Sequence, residues 1–394
     1  MHRSLPARPT PESGDDTTRS FSMLSTFPPT ECGIATFAAA LTAGLIANGG
    51  TVDVVRCGPV PTFEDASVLG TIDPDDTAGL PPALDVLNQT DVAIIQHEFG
   101  LYGGPDGADV VPLAESIVVP LILVAHTVPS RPSENQKAVL ERICNRADAV
   151  VVMTETASAR LVAGFDVPAA KVTVIPHGAA TPPATGEMDL THLERHAPRL
   201  LTWGLLGPGK GIEWAIDAVA RLSDLRPHPE YVIAGATHPK VLAHAGESYR
   251  RMLADRAASS AAAAHISFDD AYRDLASLTD LIRSADVVVL PYDSTDQVTS
   301  GVLVDAVAAG RPVVSTAFPH AVELLGTGAG LVVPQCDSAA LAGALRSVLT
   351  RPGLAASMSA EARRLAPGLA WTAVATRYDD LAERLLAERG AVRP

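Results

Sequence analysis

The run GLLGPGKG at 204–211 follows the phosphate-loop spacing G-x-x-x-x-G-K up to its last position. There the chain has Gly211, where a nucleotide hydrolase needs a Ser or Thr hydroxyl on Mg²⁺. ATP hydrolysis is therefore not expected. Gly207 and Gly209 let backbone N–H groups come close to an anion, the start of the following helix adds partial positive charge, and Lys210 adds a full one. Two readings stay open: a purely structural turn, or a diphosphate site that works without a metal ion.

A second run, DQVTSGVLVDAVAAGRPVVST at 296–316, has the same character. Thr299 or Ser300 suits a helix N-cap, with the helix running from Gly301 to Gly310. Thr299, Ser300 and Gly301 could offer hydroxyl and amide hydrogen bonds to a phosphate. Gln297 and Asp305 stand eight residues apart, one before the helix and one inside it. Asp305 either accepts from the hydroxyls of a ribose or sugar, or is an ordinary exposed helical carboxylate.

Three histidines follow apolar runs. His126 ends PLILVAH and either meets a ligand or caps a strand edge. His97 and Glu98, in QHEFGLYGG, either bind sugar hydroxyls or form a structural pair. His177, in VIPHG, falls where a linker begins and suits a hinge. Their spacing matches no metal motif, so no metal is expected. Gly33, in PPTECGIATF, stands at a strand–helix junction where backbone could pass close to a diphosphate. The chain lacks G-x-G-x-x-G there, so a bound dinucleotide is poorly supported, and no cofactor is expected.

These residues need elements to hold them. Short Val- and Ile-rich runs at 21–27, 51–57, 91–97, 120–126, 149–153 and 171–176 alternate with helical segments such as 33–48 and 132–146. Near-continuous apolar character fits strands buried on both faces of a parallel sheet. The pattern pauses at 178–198, rich in Pro, Gly and Thr, and restarts at 199–206, 230–236, 265–268, 286–292, 312–316 and 330–334. The expected class is α/β, with two Rossmann-like doubly wound domains in tandem. The expected boundaries are a disordered tail at 1–20, a first domain at 21–178, a linker at 179–198, a second domain at 199–370 and a long amphipathic helix within 371–394. Ligands of such sheets bind beyond the carboxyl ends of the strands, where the residues above fall.

Composition narrows the function. A net charge of −15 argues against nucleic acid, which is bound largely through Lys and Arg. No apolar run reaches the roughly 18 residues of a membrane helix, and membrane association is not expected. The N-terminus lacks the apolar core of a signal peptide, and four scattered cysteines suit free thiols, so a cytoplasmic location is expected.

The order of PPTECGIATF, AHT, VIPHG, GLLGPGKG, AAGRPVV, AVELL and GLVVP resembles the retaining glycosyltransferases of the GT-B fold, family 4 of the group 1 transferases. The resemblance covers most of the chain from about residue 21. It implies two domains facing a central cleft, with the last helix crossing back to the first. It implies transfer of a sugar from a nucleoside diphosphate sugar, bound mainly by the second domain, to an acceptor hydroxyl near His97, Glu98 and His126 on the first. His126 matches the family's strand-end active-site His, and Lys210 matches a lysine that holds the diphosphate. Leu205 stands where the family has Arg, and Gln297 and Asp305 stand where it has two Glu. Glu323 matches the Glu of a GG-x-x-E loop whose glycines are missing. Those departures keep a retaining phosphorylase, a nucleotide-sugar epimerase and a catalytically silent sugar- or nucleotide-binding protein open as alternatives.

Overall fold

The alternating runs fold into two parallel sheets in the computed structural model, which describes residues 18–59, 65–73, 80–180, 197–271, 273 and 275–392. The first sheet contains β1 (Ser20–Ser25), β2 (Thr51–Cys57), β3 (Val68–Ile72), β4 (Val92–His97), β5 (Leu121–Ala125), β6 (Ala149–Val152) and β7 (Val172–Val174), in the order β3-β2-β1-β4-β5-β6-β7. The second contains β8 (Arg199–Trp203), β9 (Glu230–Ala234), β10 (Ile266–Asp269), β11 (Val287–Leu290), β12 (Val313–Thr316) and β13 (Gly330–Val333), in the order β10-β9-β8-β11-β12-β13. Both orders are doubly wound, and each reverses once, between β1 and β4 and between β8 and β11. In sheets of this kind the carboxyl ends beside that reversal are where a ligand crevice lies.

Helices cover both faces. In the first unit they are α1 (Gly33–Ala47), α2 (Leu80–Asn88), α3 (Val110–Glu115), α4 (Glu134–Arg146) and α5 (Glu155–Gly164). In the second they are α6 (Ile212–Ala220), α7 (Pro239–Ala245), α8 (Ser248–Ala258), α9 (Leu275–Ser284), α10 (Gly301–Ala308), α11 (Pro319–Leu325), α12 (Ser338–Thr350) and α13 (Leu354–Leu369). Local chemistry starts several of them. Ser133 and Gln136 form a reciprocal capping box on α4, Thr154 caps α5, and the Cys32 thiol accepts from Ala35 N at 3.3 Å at the head of α1. All four cysteines are free.

The last helix, α14 (Trp371–Val392), packs on the first unit. Val374, Ala375, Tyr378, Leu381 and Leu385 join Phe37, Leu41 and Leu45 of α1 in one core. Each large apolar side chain buried there contributes about 1.5–3 kcal/mol. Gly44 permits the approach, since a Cβ there would stand 2.8 Å from the Trp371 carbonyl oxygen.

Several sequence expectations shift. β1 opens at Ser20, inside the stretch expected as tail, and Arg19 pairs with Asp379 of α14. Residues 1–17 of that tail, and 181–196 of the expected linker, lie outside the described residues. β3 is an addition to the expected strands: this half-exposed edge strand, VLGTI, has no continuous apolar run, and it pairs with β2 through a register shift. Among the described residues no helix is long and apolar enough to cross a membrane.

Candidate active site

The crevice of the second sheet is framed by the loops after β8 and β11. Gly211 caps α6 in the left-handed region, at φ 60°. A Cβ there would overlap the Pro291 carbonyl oxygen, so only glycine lets the two loops close on each other. Asp293 N donates to Gly209 O at 3.2 Å and Lys210 N to Gly207 O at 3.2 Å, which fixes the loop. The Lys210 ammonium lies 4.3 Å from the centre of the Tyr292 ring. It forms no ion pair among the described residues, so its charge is not already spent on a carboxylate.

The start of α10 forms the other wall. Ser300, not Thr299, is the N-cap, its Oγ accepting from Leu303 N at 3.3 Å. Ser300 N donates to His320 Nδ1 at 2.9 Å. The amides of Gly301 and Val302 have no acceptor among the described residues, and the buried Thr299 hydroxyl has no partner. The Gln297 amide folds back onto the Thr299 carbonyl, which commits it to its own loop. Asp305, half-buried one turn into α10, has its carboxyl raised by burial to about 7.

The first unit faces this wall with its strand ends. His126 Nε2 donates to Gln96 Oε1 at 2.7 Å, leaving Nδ1 as the acceptor. Burial, reinforced by His177 and His97, pushes His126 down to about 3, so the ring stays neutral. His97 is fully buried at the end of β4, lowered to about 4 by burial, and neither ring nitrogen has a partner. Glu98 accepts from Thr127 Oγ1 and from Phe99 N at 3.0 Å, and burial raises its carboxyl. Gly33 opens α1 with nothing within 4 Å of its missing Cβ, leaving room at that helix start.

His177 joins the two units. Its ring lies edge-on to Phe37, beside Trp371, and 3.0 Å from where a Cβ on Gly301 would stand. Nδ1 donates to Gly178 O at 2.6 Å. The Phe37 ring also meets His126 edge-on, at 4.9 Å between centroids, so one aromatic cluster links α1, α14 and the loops after β5 and β7, with its His177 ring against Gly301 of α10. Further bonds span the units. Thr154 Oγ1 donates to Val298 O at 3.1 Å, and Arg160 pairs with Asp296 at 3.3 Å.

The structure thus gathers Gly207, Gly209, Lys210, Thr299, Ser300, Gly301 and Asp305 around one crevice, with His126, His97 and Glu98 on the facing unit. Glu323, which matches the Glu of the family's loop, reaches the other unit. Its carboxylate accepts from Glu155 N at 2.8 Å and from Thr156 N and Oγ1 at 3.1 and 3.0 Å, capping α5 of the first unit. Gln96, Tyr292 and His320 were missed. Gln96 and Tyr292 were legible as strand-end residues at a switch point, whereas His320 carried no local signal. Among the described residues no three His, Cys, Asp or Glu side chains form a metal-ligand set.

Two family models match this chain: "Glycosyltransferase Family 4" over residues 32–181 and "Glycosyl transferases group 1" over residues 197–351. A D-inositol 3-phosphate glycosyltransferase of Kineococcus radiotolerans is 28% identical over 279 residues, 64% of this chain and 61% of that one. One from Corynebacterium jeikeium is 28% identical over 303 residues, 70% of each. The match thus spans about three fifths of the length of the first relative. Among solved structures, sucrose-phosphate synthase from Thermosynechococcus elongatus superposes with a TM-score of 0.74 at 19% identity, covering 94% of this chain and 100% of that one. The HepE protein of Anabaena, in complex with UDP and glucose, has a TM-score of 0.71 at 15% identity, covering 93% and 100%. The shared architecture is the two-domain GT-B fold.

Proposed function

The chain belongs to the group 1, family 4 glycosyltransferases, and on that premise we propose that it moves a sugar from a nucleoside diphosphate sugar to an acceptor hydroxyl, with retention of configuration and no metal ion. The observation that carries this reading is the pair of loops at the second switch point. The loop after β8 presents Lys210 at the start of α6, and the loop after β11 presents the free amides of α10. As the glycosidic C1–O bond breaks, the diphosphate takes up negative charge, and these groups are aimed at it before it forms. The acceptor oxygen bonds to C1 on the face the diphosphate leaves, and its proton passes to a diphosphate oxygen.

Asp305 accepts hydroxyls of the donor. His126, held neutral with Nδ1 open, accepts one from the transferred sugar and exchanges no proton. The acceptor lies on the first unit near His97 and Glu98. The curated relatives are named for D-inositol 3-phosphate, which makes a cyclic polyol phosphate the first acceptor to try.

The test is incubation with UDP-, GDP- and ADP-sugars plus acceptor, with the new linkage read by mass spectrometry and NMR. A retained anomer, formed equally in EDTA and lost about 10²–10³-fold in kcat on Lys210→Ala, is expected. An inverted product, a requirement for a divalent ion, or normal turnover in that variant refutes the corresponding part. Turnover driven by inorganic phosphate without nucleotide would make the protein a phosphorylase.

A further inference from the structure

The site is one cation short of the family pattern, since residue 205 is Leu. The neighbouring loop carries another cation. Leu206 N donates to Ala236 O and His238 N to Leu206 O, both at 2.8 Å, so the loop after β9 is stitched to the loop after β8. The stitching lays His238 and Val241 against Gly207, where a Cβ would stand 3.0 Å from Val241 Cγ2 and 3.9 Å from His238 Cβ. Lys240 lies between them in sequence. Its ammonium reaches across the cleft and occupies the space a Cβ on Gly100 would need, so Gly100 is what admits it.

Two further observations mark this ammonium. Burial lowers the His238 pKa, and the Lys240 and Lys210 charges both push it the same way, so both lie within electrostatic reach of this ring. The chain has four lysines. Lys137 pairs with Glu141, and Lys171 donates to the carbonyls of Asn145 and Ala147. Lys210 and Lys240 have no ion pair among the described residues. In a chain of net charge −15, these two ammoniums belong to the two stitched loops, and the Lys240 charge also favours the Glu98 carboxylate across the cleft.

We propose that Lys240 is a second diphosphate-binding cation, supplied from the loop after β9 in place of the arginine absent at position 205; it rests on the nucleoside diphosphate reading above. The charge has moved to the adjacent loop rather than vanished. Because the ammonium already spans to Gly100, it would hold the diphosphate from the cleft's mouth while Lys210 holds it from the floor.

Calorimetric titration of the full chain with UDP, GDP and ADP, and with the matching monophosphates, tests this. Lys240→Ala should weaken the preferred diphosphate roughly ten- to hundredfold, the range for one charge-assisted hydrogen bond. The monophosphate should change by less than about threefold. Lys240→Arg should keep wild-type affinity, and Leu205→Arg added to Lys240→Ala should restore it. Unchanged diphosphate binding in Lys240→Ala overturns the inference, as does equal loss of mono- and diphosphate, or an effect confined to acceptor KM. A double variant that stays weak overturns the replacement of the arginine. If wild type binds no nucleoside diphosphate at all, the donor reading itself fails, and the inference falls with it.

Discussion

Asp305 offers a test of the donor site through pH. Burial holds its carboxyl near 7, about three units above the ordinary 3.8. If that group accepts hydroxyls of the donor, the bound form is the carboxylate, because accepting hydrogen bonds favours ionisation. With a pKa of about 7, roughly one molecule in eleven carries the carboxylate at pH 6, and about ten in eleven at pH 8. The Kd for a nucleotide sugar should therefore weaken roughly tenfold from pH 8 to pH 6. A nucleotide sugar is the right ligand, because its esterified diphosphate does not titrate in that window. The buried histidines of the cleft do not interfere: His97 and His177 are pushed down to about 4, and His126 and His320 to about 3.

Calorimetry in buffers of different ionisation enthalpy should also show a proton released on binding near pH 7. In Asp305→Asn, which keeps an acceptor oxygen but cannot ionise, both effects should vanish. Stability supplies an independent arm. The folded pKa lies above the unfolded one, so the contribution is fully present below about pH 4 and is lost as pH rises through about 7. The full span is about 4 kcal/mol at 1.36 kcal/mol per unit. Urea unfolding of wild type should show that decline, and Asp305→Asn should flatten it. Affinity independent of pH in wild type, or the same slope in the variant, refutes the role given to Asp305.

The geometry makes three other outcomes testable. His126→Ala should lower kcat/KM roughly two- to tenfold, the worth of one neutral hydrogen bond, without altering the shape of its pH profile; a limb between pH 5 and 8 that disappears in the variant would show that His126 does exchange a proton. Gly211→Ala should cost at least about 1–2 kcal/mol in urea unfolding, because a left-handed residue gains a Cβ that overlaps the Pro291 carbonyl, and a wild-type midpoint would contradict this. Glu323→Ala should cost about 1 kcal/mol by freeing the first two amides of α5, which Thr154 does not reach, with Glu323→Gln intermediate; an unchanged denaturation curve would remove Glu323 as a clasp between the units.

Much of the site was legible before the fold. Strand-end position selected His97, His126 and the loop at 204–211, because a parallel sheet gathers the residues just beyond its strands at one edge. The helix starts at Gly33 and Gly301 were legible because glycine, Ser and Thr at a strand–helix junction have a local physical reason. Three features were not. Glu323 keeps the family's spacing, yet its carboxylate caps a helix of the other unit, a contact over more than 160 residues that no local pattern encodes. His320 became the acceptor for the Ser300 amide only when α11 packed beside α10. The edge strand β3 hid because a strand that buries only part of itself has no continuous apolar run.

The sequence by itself determined the alternation of buried strand and helix, the two-unit division, and the kind of residue at each strand end, because each depends on neighbours within a few positions. Only the tertiary structure decided how those ends share a cleft. It held four histidines neutral by burying them, raised Asp305 into the neutral range, and carried Lys240 across to Gly100. Desolvation and cross-domain reach depend on what lies opposite in space, and linear order leaves that open.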